Sequence, residues 1–255
     1  MIGIFDSGVG GLSVLKELRT QAPRADVLYF GDIANAPYGP KSTEELVVLT
    51  LGAMARLRER GVSQFVAACN SISVSVIQPI VAMFGGSPGH VIEMVEPIAR
   101  EVAAMKHGRI LVIATQGTVR SGLYERTFQA QGMDVELLAV PELASAIEQG
   151  RREDELRVML LPVVERCHEY EINTLVLGCT HYPLVMGLIT KMVQEHVHHP
   201  VAVIDPAAAV ADETCRQFDL SGTGRMTFLL SKDSATFRGY ASALFGGSAF
   251  DIQIV

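Results

Sequence analysis

A chain of 255 residues has room for one large domain or two of ordinary size. Hydrophobic residues make up 49% and charged residues 19%, with a mean hydropathy of +0.28, which describes a compact apolar fold and excludes a long disordered tail. A net charge of −7 without any basic run excludes a nucleic-acid or anionic-membrane surface, and no apolar stretch is long enough to span a bilayer.

The amino terminus runs straight into a strand with Asp6 inside it and reads as no signal peptide. The cysteines at 69, 167, 179 and 215 show no Cys-x-x-Cys spacing, so free thiols in a reducing cytoplasm are expected. Strands of four to six apolar residues alternate with longer amphipathic segments, the pattern of a mainly parallel α/β sheet.

In chain order, Ile2 to Phe5 is a strand, followed by the turn Gly8-Val9-Gly10-Gly11 and a helix carrying Leu12, Leu15 and Leu18. Asp26 to Phe30 is a second strand, leading into a turn-rich loop from Gly31 to Pro40 that suits the edge of a site. Ser42 and Glu45 form a capping box for a helix stopping near Gly61. A strand into Cys69 and a further helix run to the breaker cluster Phe84-Gly85-Gly86-Ser87-Pro88-Gly89, with a crossing to a second half near Glu93 to Pro97. There, Ile110 to Ala114 is a strand, a helix ends near Gly132, Val135 to Ala139 is a strand, and helical segments cover Ile147-Glu148 and Glu155 to Tyr170. The strand into Cys179 and another helix follow, then a strand Val201 to Ile204 ending at Asp205-Pro206, a second crossing. Strand Met226 to Leu230, a helix from about Ser234 to Phe245 and the short Phe250 to Val255 rejoin the first half. The expected domains are therefore residues 1–94 plus 207–255, and residues 95–206.

The chain repeats itself at its strand ends. Gln64 to Ser71 and Thr174 to Pro183 each run an apolar strand into a cysteine followed by small hydrogen-bonding residues, with Cys69 and Cys179 110 positions apart. Asp6 and Thr115 close two further strands 109 apart. Two related, mainly parallel-sheet domains facing each other across a central cleft would place one thiol on each side of a small molecule, because ligands of such sheets collect beyond the carboxyl ends of the strands. That arrangement removes a proton from one face of a carbon and returns one to the other. A thiol with an ordinary pKa near 8.5 can act as acid or base when its neighbours tune it. His181 stands two residues beyond Cys179, and Asp6 is placed to serve Cys69.

Each feature has a plainer reading. A lone cysteine at a strand end is ordinarily core packing, His181 alone could be a satisfied structural histidine, Asp6 could cap a turn, and Glu148 on an amphipathic helix would by default face solvent. Cys167 and Cys215 lack the strand-end context and read as inert. The Gly8 to Gly11 turn resembles a phosphate or dinucleotide loop, which would make the chain a nucleotide-binding regulatory module. Its Gly-x-Gly-x-x-Gly pattern nevertheless fails at Ser13, and close helix-to-strand packing accounts for the glycines as well. A zinc site on Cys69, Cys179 and His181 lacks metal-site spacing.

Taken together, Phe5-Asp6-Ser7-Gly8-Val9-Gly10-Gly11, Pro37-Tyr38-Gly39, Ala68-Cys69-Asn70-Ser71, Thr115 with Thr118, and Gly178-Cys179-Thr180-His181-Tyr182-Pro183 closely resemble the cofactor-independent glutamate racemases of the aspartate/glutamate racemase superfamily. The resemblance implies interconversion of L- and D-glutamate for peptidoglycan synthesis, with no cofactor or metal, in a cytoplasmic homodimer. It implies that Cys179 attacks the L-enantiomer and Cys69 the D-enantiomer, with Asp6 assisting Cys69, and His181, oriented by Glu148, assisting Cys179. Asp6, Ser7, Pro37, Tyr38, Gly39, Asn70, Ser71, Thr115, Thr118, Thr180 and His181 would surround the substrate. Aspartate or another amino acid is the alternative substrate within the superfamily. Two positions depart from the family pattern: serine stands at 71 where threonine is usual, and Leu143-Ala144-Ser145 replaces the usual Phe-Val-Pro.

Overall fold

The computed structural model describes residues 1–75, 77, 91–105 and 108–255. The breaker cluster at 84–89 lies outside these residues. The strands form two parallel sheets, and strand burial reports position in each sheet. In the first, β1 (Ile2–Asp6) is buried at every residue and lies between β2 (Val27–Gly31) and β3 (Gln64–Ala67). β4 (Val91–Ile92) pairs with β3, while β9 (Met226–Leu230) and β10 (Asp251–Ile254) extend the β2 side, giving the order β10-β9-β2-β1-β3-β4. In the second sheet, the fully buried β5 (Ile110–Ala114) and β7 (Thr174–Gly178) are central, with β6 (Val135–Ala139) and β8 (Ala202–Ile204) at the edges. Continuous apolar runs such as Ile-Leu-Val-Ile-Ala belong in parallel strands covered on both faces, whereas Asp-Ile-Gln-Ile of β10 is mostly exposed at an edge.

The order β6-β5-β7-β8 repeats β2-β1-β3-β4. The two halves are thus related α/β units, and the periodic placement of Asp6 with Thr115 and Cys69 with Cys179 follows from that shared topology.

Helices cover both faces of each sheet. On the first sheet, α1 (Leu12–Gln21) packs with α10 (Ala207–Gln217) and α11 (Ala235–Phe245), while α2 (Thr43–Arg58) and α3 (Asn70–Ser75) cover the opposite face. On the second, α7 (Leu143–Glu148), α8 (Glu153–Glu169) and α9 (Met186–His196) cover one face. The other carries α4 (Val95–Ala104) and α6 (Leu123–Ala130), the latter preceded by α5 (Gln116–Ser121). The Ser42–Glu45 capping box forms as its sequence predicts, and Gly61 takes a φ of +85° after α2. The single helix expected to end near Gly132 is instead divided into α5 and α6, because Gly122 adopts the left-handed conformation between them. The strand expected at Asp26 to Phe30 runs one residue later, from Val27 to Gly31, and the Asp26 carboxylate just before it accepts the backbone N–H groups of Thr223 and Arg225. β4 was not visible in the sequence, being only two residues long.

The chain passes between the sheets at two places, from β4 to α4 and from β8 to α10, and a carboxylate caps the helix after each. Glu93 accepts the N–H groups of Val95 and Glu96 at 2.6 Å each, and Asp205 accepts that of Ala207 at 2.9 Å. Burial outweighs the two backbone bonds at Glu93 and pushes its carboxyl from 4.5 up to about 7. A folded-state value above the unfolded one contributes stability below about pH 4.5 that is lost as pH rises to about 7. Urea titrations at pH 4.5 and 7.5 are therefore expected to show wild type losing more stability than Glu93→Gln, by on the order of 3 kcal/mol for a shift of this size. An equal or smaller loss in wild type would contradict the assignment.

Candidate active site

Four strand ends converge between the sheets. Asp6 is the last residue of β1, Cys69 lies two past β3, Thr115 one past β5 and Cys179 one past β7. Residues from both lobes, among them Ser7, Cys69 and Asn70 from the first and Thr115, Cys179 and His181 from the second, enclose one cavity of about 20 Å³. Pro37, Tyr38, Gly39, Ser71 and Thr180 complete its wall together with Ala144, which the sequence marked only as a departure from pattern. The cavity is the size of a single water, too small for an amino acid until its walls move apart. Pro37, Gly39, Thr115 and Ala144 also border a wider mouth of about 530 Å³ that opens to solvent.

The two cysteines are buried but differently supported. Beside Cys179, His181 Nδ1 lies 4.0 Å from Sγ, and Nε2 makes a 2.6 Å hydrogen bond with Glu148 Oε2. Burial works against a charged imidazole here, yet the sulfur of Cys179 and the carboxylates of Glu148 and Asp6 outweigh it, and His181 is held well above the ordinary histidine range. Sulfur, imidazole and carboxylate thus stand in a row suited to passing a proton and balancing an emerging charge. Glu148 does not face solvent. α7 is a short helix of six residues entered through Glu142 at a φ of +60°, and it carries Glu148 inward to the junction, where Val9 N–H also approaches at 3.4 Å.

Cys69 has no imidazole partner among the described residues. Burial, with the charge of Asp6 adding to it, pushes its thiol well above the usual range, so this sulfur is kept protonated. Asp6 is itself pushed up by burial, against the opposing pull of His181 and of the Gly8 and Gly11 backbone. Its two oxygens divide their work: Oδ2 accepts Gly8 N–H at 3.0 Å, and Oδ1 accepts the Thr180 hydroxyl of the other lobe at 3.3 Å.

Two further predicted segments are held by local hydrogen bonds. Thr115 caps α5 by accepting Thr118 N–H, and the two hydroxyls lie 3.0 Å apart; Thr118 is buried behind Thr115 and does not line the cavity. Tyr38 donates to Asp32 at 2.6 Å, which holds the Pro37-Tyr38-Gly39 loop over the cavity. Sequence reasoning missed Asp32, Ala144, Tyr29, whose buried hydroxyl donates to Gly8 O at 2.8 Å, and Tyr124, discussed below. Tyr29 and Tyr124 act through partners 21 and 54 positions away, which no local motif marks.

The glycine turn takes its meaning from the second lobe. Only Gly11 fits the helix-to-strand explanation, a side chain there meeting Tyr29, Asp6 and Ala68. A Cβ on Gly8 would lie 2.7 Å from the Glu148 carboxylate, and one on Gly10 would lie 2.4 Å from Thr180 Oγ1 and 2.8 Å from His181 Nδ1. The turn lets the lobes close on each other, and its surroundings of Asp6 and Glu148 are hostile to a phosphate. Gly10→Ala is accordingly expected to hold the closed lobes apart and reduce turnover by about 100-fold, the scale of an ångström misplacement. Its melting temperature should move little, and unimpaired turnover would show that closure at this point is unnecessary.

The Asp/Glu/Hydantoin racemase family pattern matches residues 2–214. The chain is 36% identical over 260 residues to the glutamate racemase of Deinococcus radiodurans, covering 97% of this chain and 87% of that protein. A crystal structure of a Bacillus anthracis glutamate racemase superposes with a TM-score of 0.84 at 29% identity, covering 100% of this chain and 97% of the other. That of Francisella tularensis glutamate racemase in complex with D-glutamate gives 0.83 at 26% identity, covering 100% and 96%.

Proposed function

Because the chain belongs to the Asp/Glu/Hydantoin racemase family, we propose that it is a glutamate racemase, moving the Cα proton of glutamate between two cysteines. The observation that carries this reading is the pair of strand-end thiols, Cys69 and Cys179, brought from two related lobes onto one cavity. In the L-to-D direction, Cys179 withdraws the Cα proton with the His181–Glu148 pair balancing charge, and the protonated Cys69 supplies one from the opposite face. In the reverse direction the roles exchange, and Asp6 assists Cys69. Ser7, the Tyr38-Gly39 backbone, Asn70, Ser71, Thr115 and Thr180 hold the carboxylates and amine, and donors aimed at the α-carboxylate stabilise the carbanion-like transition state. The reaction needs no cofactor in this scheme, since both proton carriers are side chains.

By the same reading the enzyme works in the cytoplasm, supplies D-glutamate for peptidoglycan, and is a homodimer, which light scattering would register as twice 27.5 kDa. Circular dichroism at fixed wavelength, with L-glutamate and L-aspartate supplied separately, tests the substrate. Loss of optical activity with glutamate at a kcat/KM about 10- to 200-fold above that for aspartate is expected, the range a substrate one methylene shorter forfeits. Preference for aspartate, or silence with both, would overturn the assignment.

A further inference from the structure

We propose that Tyr124 is a positioning residue for racemisation: its hydroxyl reaches across the lobe boundary to fix the Asn70 amide so that Nδ2 is presented to the substrate. The inference rests on the racemase reading above and concerns a residue to which that reading gives no role.

Tyr124 lies on α6 of the second lobe and Asn70 opens α3 of the first. The phenol hydroxyl donates to Asn70 Oδ1 at 2.6 Å, with both residues buried. A side-chain amide has one acceptor and two donors. With Oδ1 committed to Tyr124, the donors turn the other way, and Nδ2 is buried without a hydrogen-bond partner among the described residues. A buried, unsatisfied N–H₂ is costly unless something completes it. Asn70 lines the catalytic cavity beside Cys69, so what completes it is an acceptor of the bound ligand, which a carboxylate oxygen supplies.

The phenol is suited to the task. Burial, reinforced by the charges of Glu93, Cys179 and Asp205, pushes Tyr124 well above the ordinary tyrosine range, so it remains a donor throughout the working range of pH. Its ring is fixed independently of the hydroxyl, packing 6.0 Å from that of Phe128 in the second core. Two consequences follow from one bond. The amide cannot rotate to offer its oxygen to an anionic substrate, and the Cys69-Asn70 turn is registered against the opposite lobe when the cleft is closed.

Tyr124→Phe removes the oxygen and keeps the ring. KM for both glutamate enantiomers is expected to rise about tenfold, the scale of one lost neutral hydrogen bond, while kcat changes less than about threefold because neither thiol is touched. Asn70→Ala should raise KM at least as much, and adding Tyr124→Phe to it should change nothing further, since the tyrosine acts only through the amide. Equal KM in wild type and Tyr124→Phe would overturn the inference, as would a tyrosine effect that persists undiminished in the Asn70→Ala background or appears in kcat alone. If the wild-type enzyme turned over neither enantiomer of glutamate, the racemase reading would fail and this inference with it; an active wild type with an indifferent Tyr124→Phe removes this inference alone.

Discussion

Replacing Cys179 with serine is expected to lower glutamate racemisation by about 10³- to 10⁴-fold, and Cys69→Ser to do the same, with the fold intact in both. Positioned acid–base groups contribute on this scale, and a hydroxyl occupies nearly the same space as a thiol while being far too weak an acid to exchange roles with it. The two variants should nevertheless differ in what they still do. Cys69→Ser retains Cys179 with its histidine, and so should exchange the Cα hydrogen of L-glutamate with solvent without inverting it. Cys179→Ser should exchange that of D-glutamate. A variant that keeps more than a tenth of wild-type turnover would remove that cysteine from the mechanism, whereas exchange of the opposite enantiomers would reverse the assignment of faces.

The second large effect belongs to the pair behind Cys179. Among the described residues His181 is the only imidazole beside either sulfur, and His181→Asn is expected to cost about 100- to 1,000-fold, within the range of a positioned proton carrier. Glu148→Gln keeps the shape but exchanges a charge-assisted bond to His181 for a neutral one, a loss on the order of 1–1.5 kcal/mol, or roughly 5- to 10-fold. Two enantiomers have equal free energy in water, so kcat/KM must fall equally in both directions in every variant. Asymmetry can appear only in kcat and KM separately, and it is expected there because the histidine serves one sulfur alone. If Glu148→Gln behaved as wild type, the 2.6 Å contact would be structural and His181 would act unaided.

How much of this was legible beforehand differed from residue to residue. Buried parallel strands announce themselves by unbroken apolar runs, so β1, β5 and β7 and the cysteines beyond β3 and β7 could be placed from sequence. The glycine turn was equally visible but ambiguous, because the constraint on Gly8 and Gly10 comes from side chains 140 and 170 positions away. Glu148 on an amphipathic segment points to solvent by default; only the left-handed entry to α7 and the approach of the first lobe turn it inward. Tyr124 and Asn70 are 54 residues apart on different lobes, and nothing local to either predicts the bond between them. Local pattern thus specifies strands and strand ends, while the supporting contacts of the site arise from the closure of one half on the other.

The central claim, two sulfurs acting on opposite faces of one carbon, is tested most directly by running the wild-type reaction in deuterium oxide from pure L-glutamate and following label in both enantiomers at early times. Deuterium is predicted at Cα of essentially all D-glutamate from the first turnovers, while the remaining L-glutamate stays unlabelled. D-glutamate that keeps its original hydrogen, or label entering both enantiomers at equal rates, would mean that a single base serves both faces and would contradict the account.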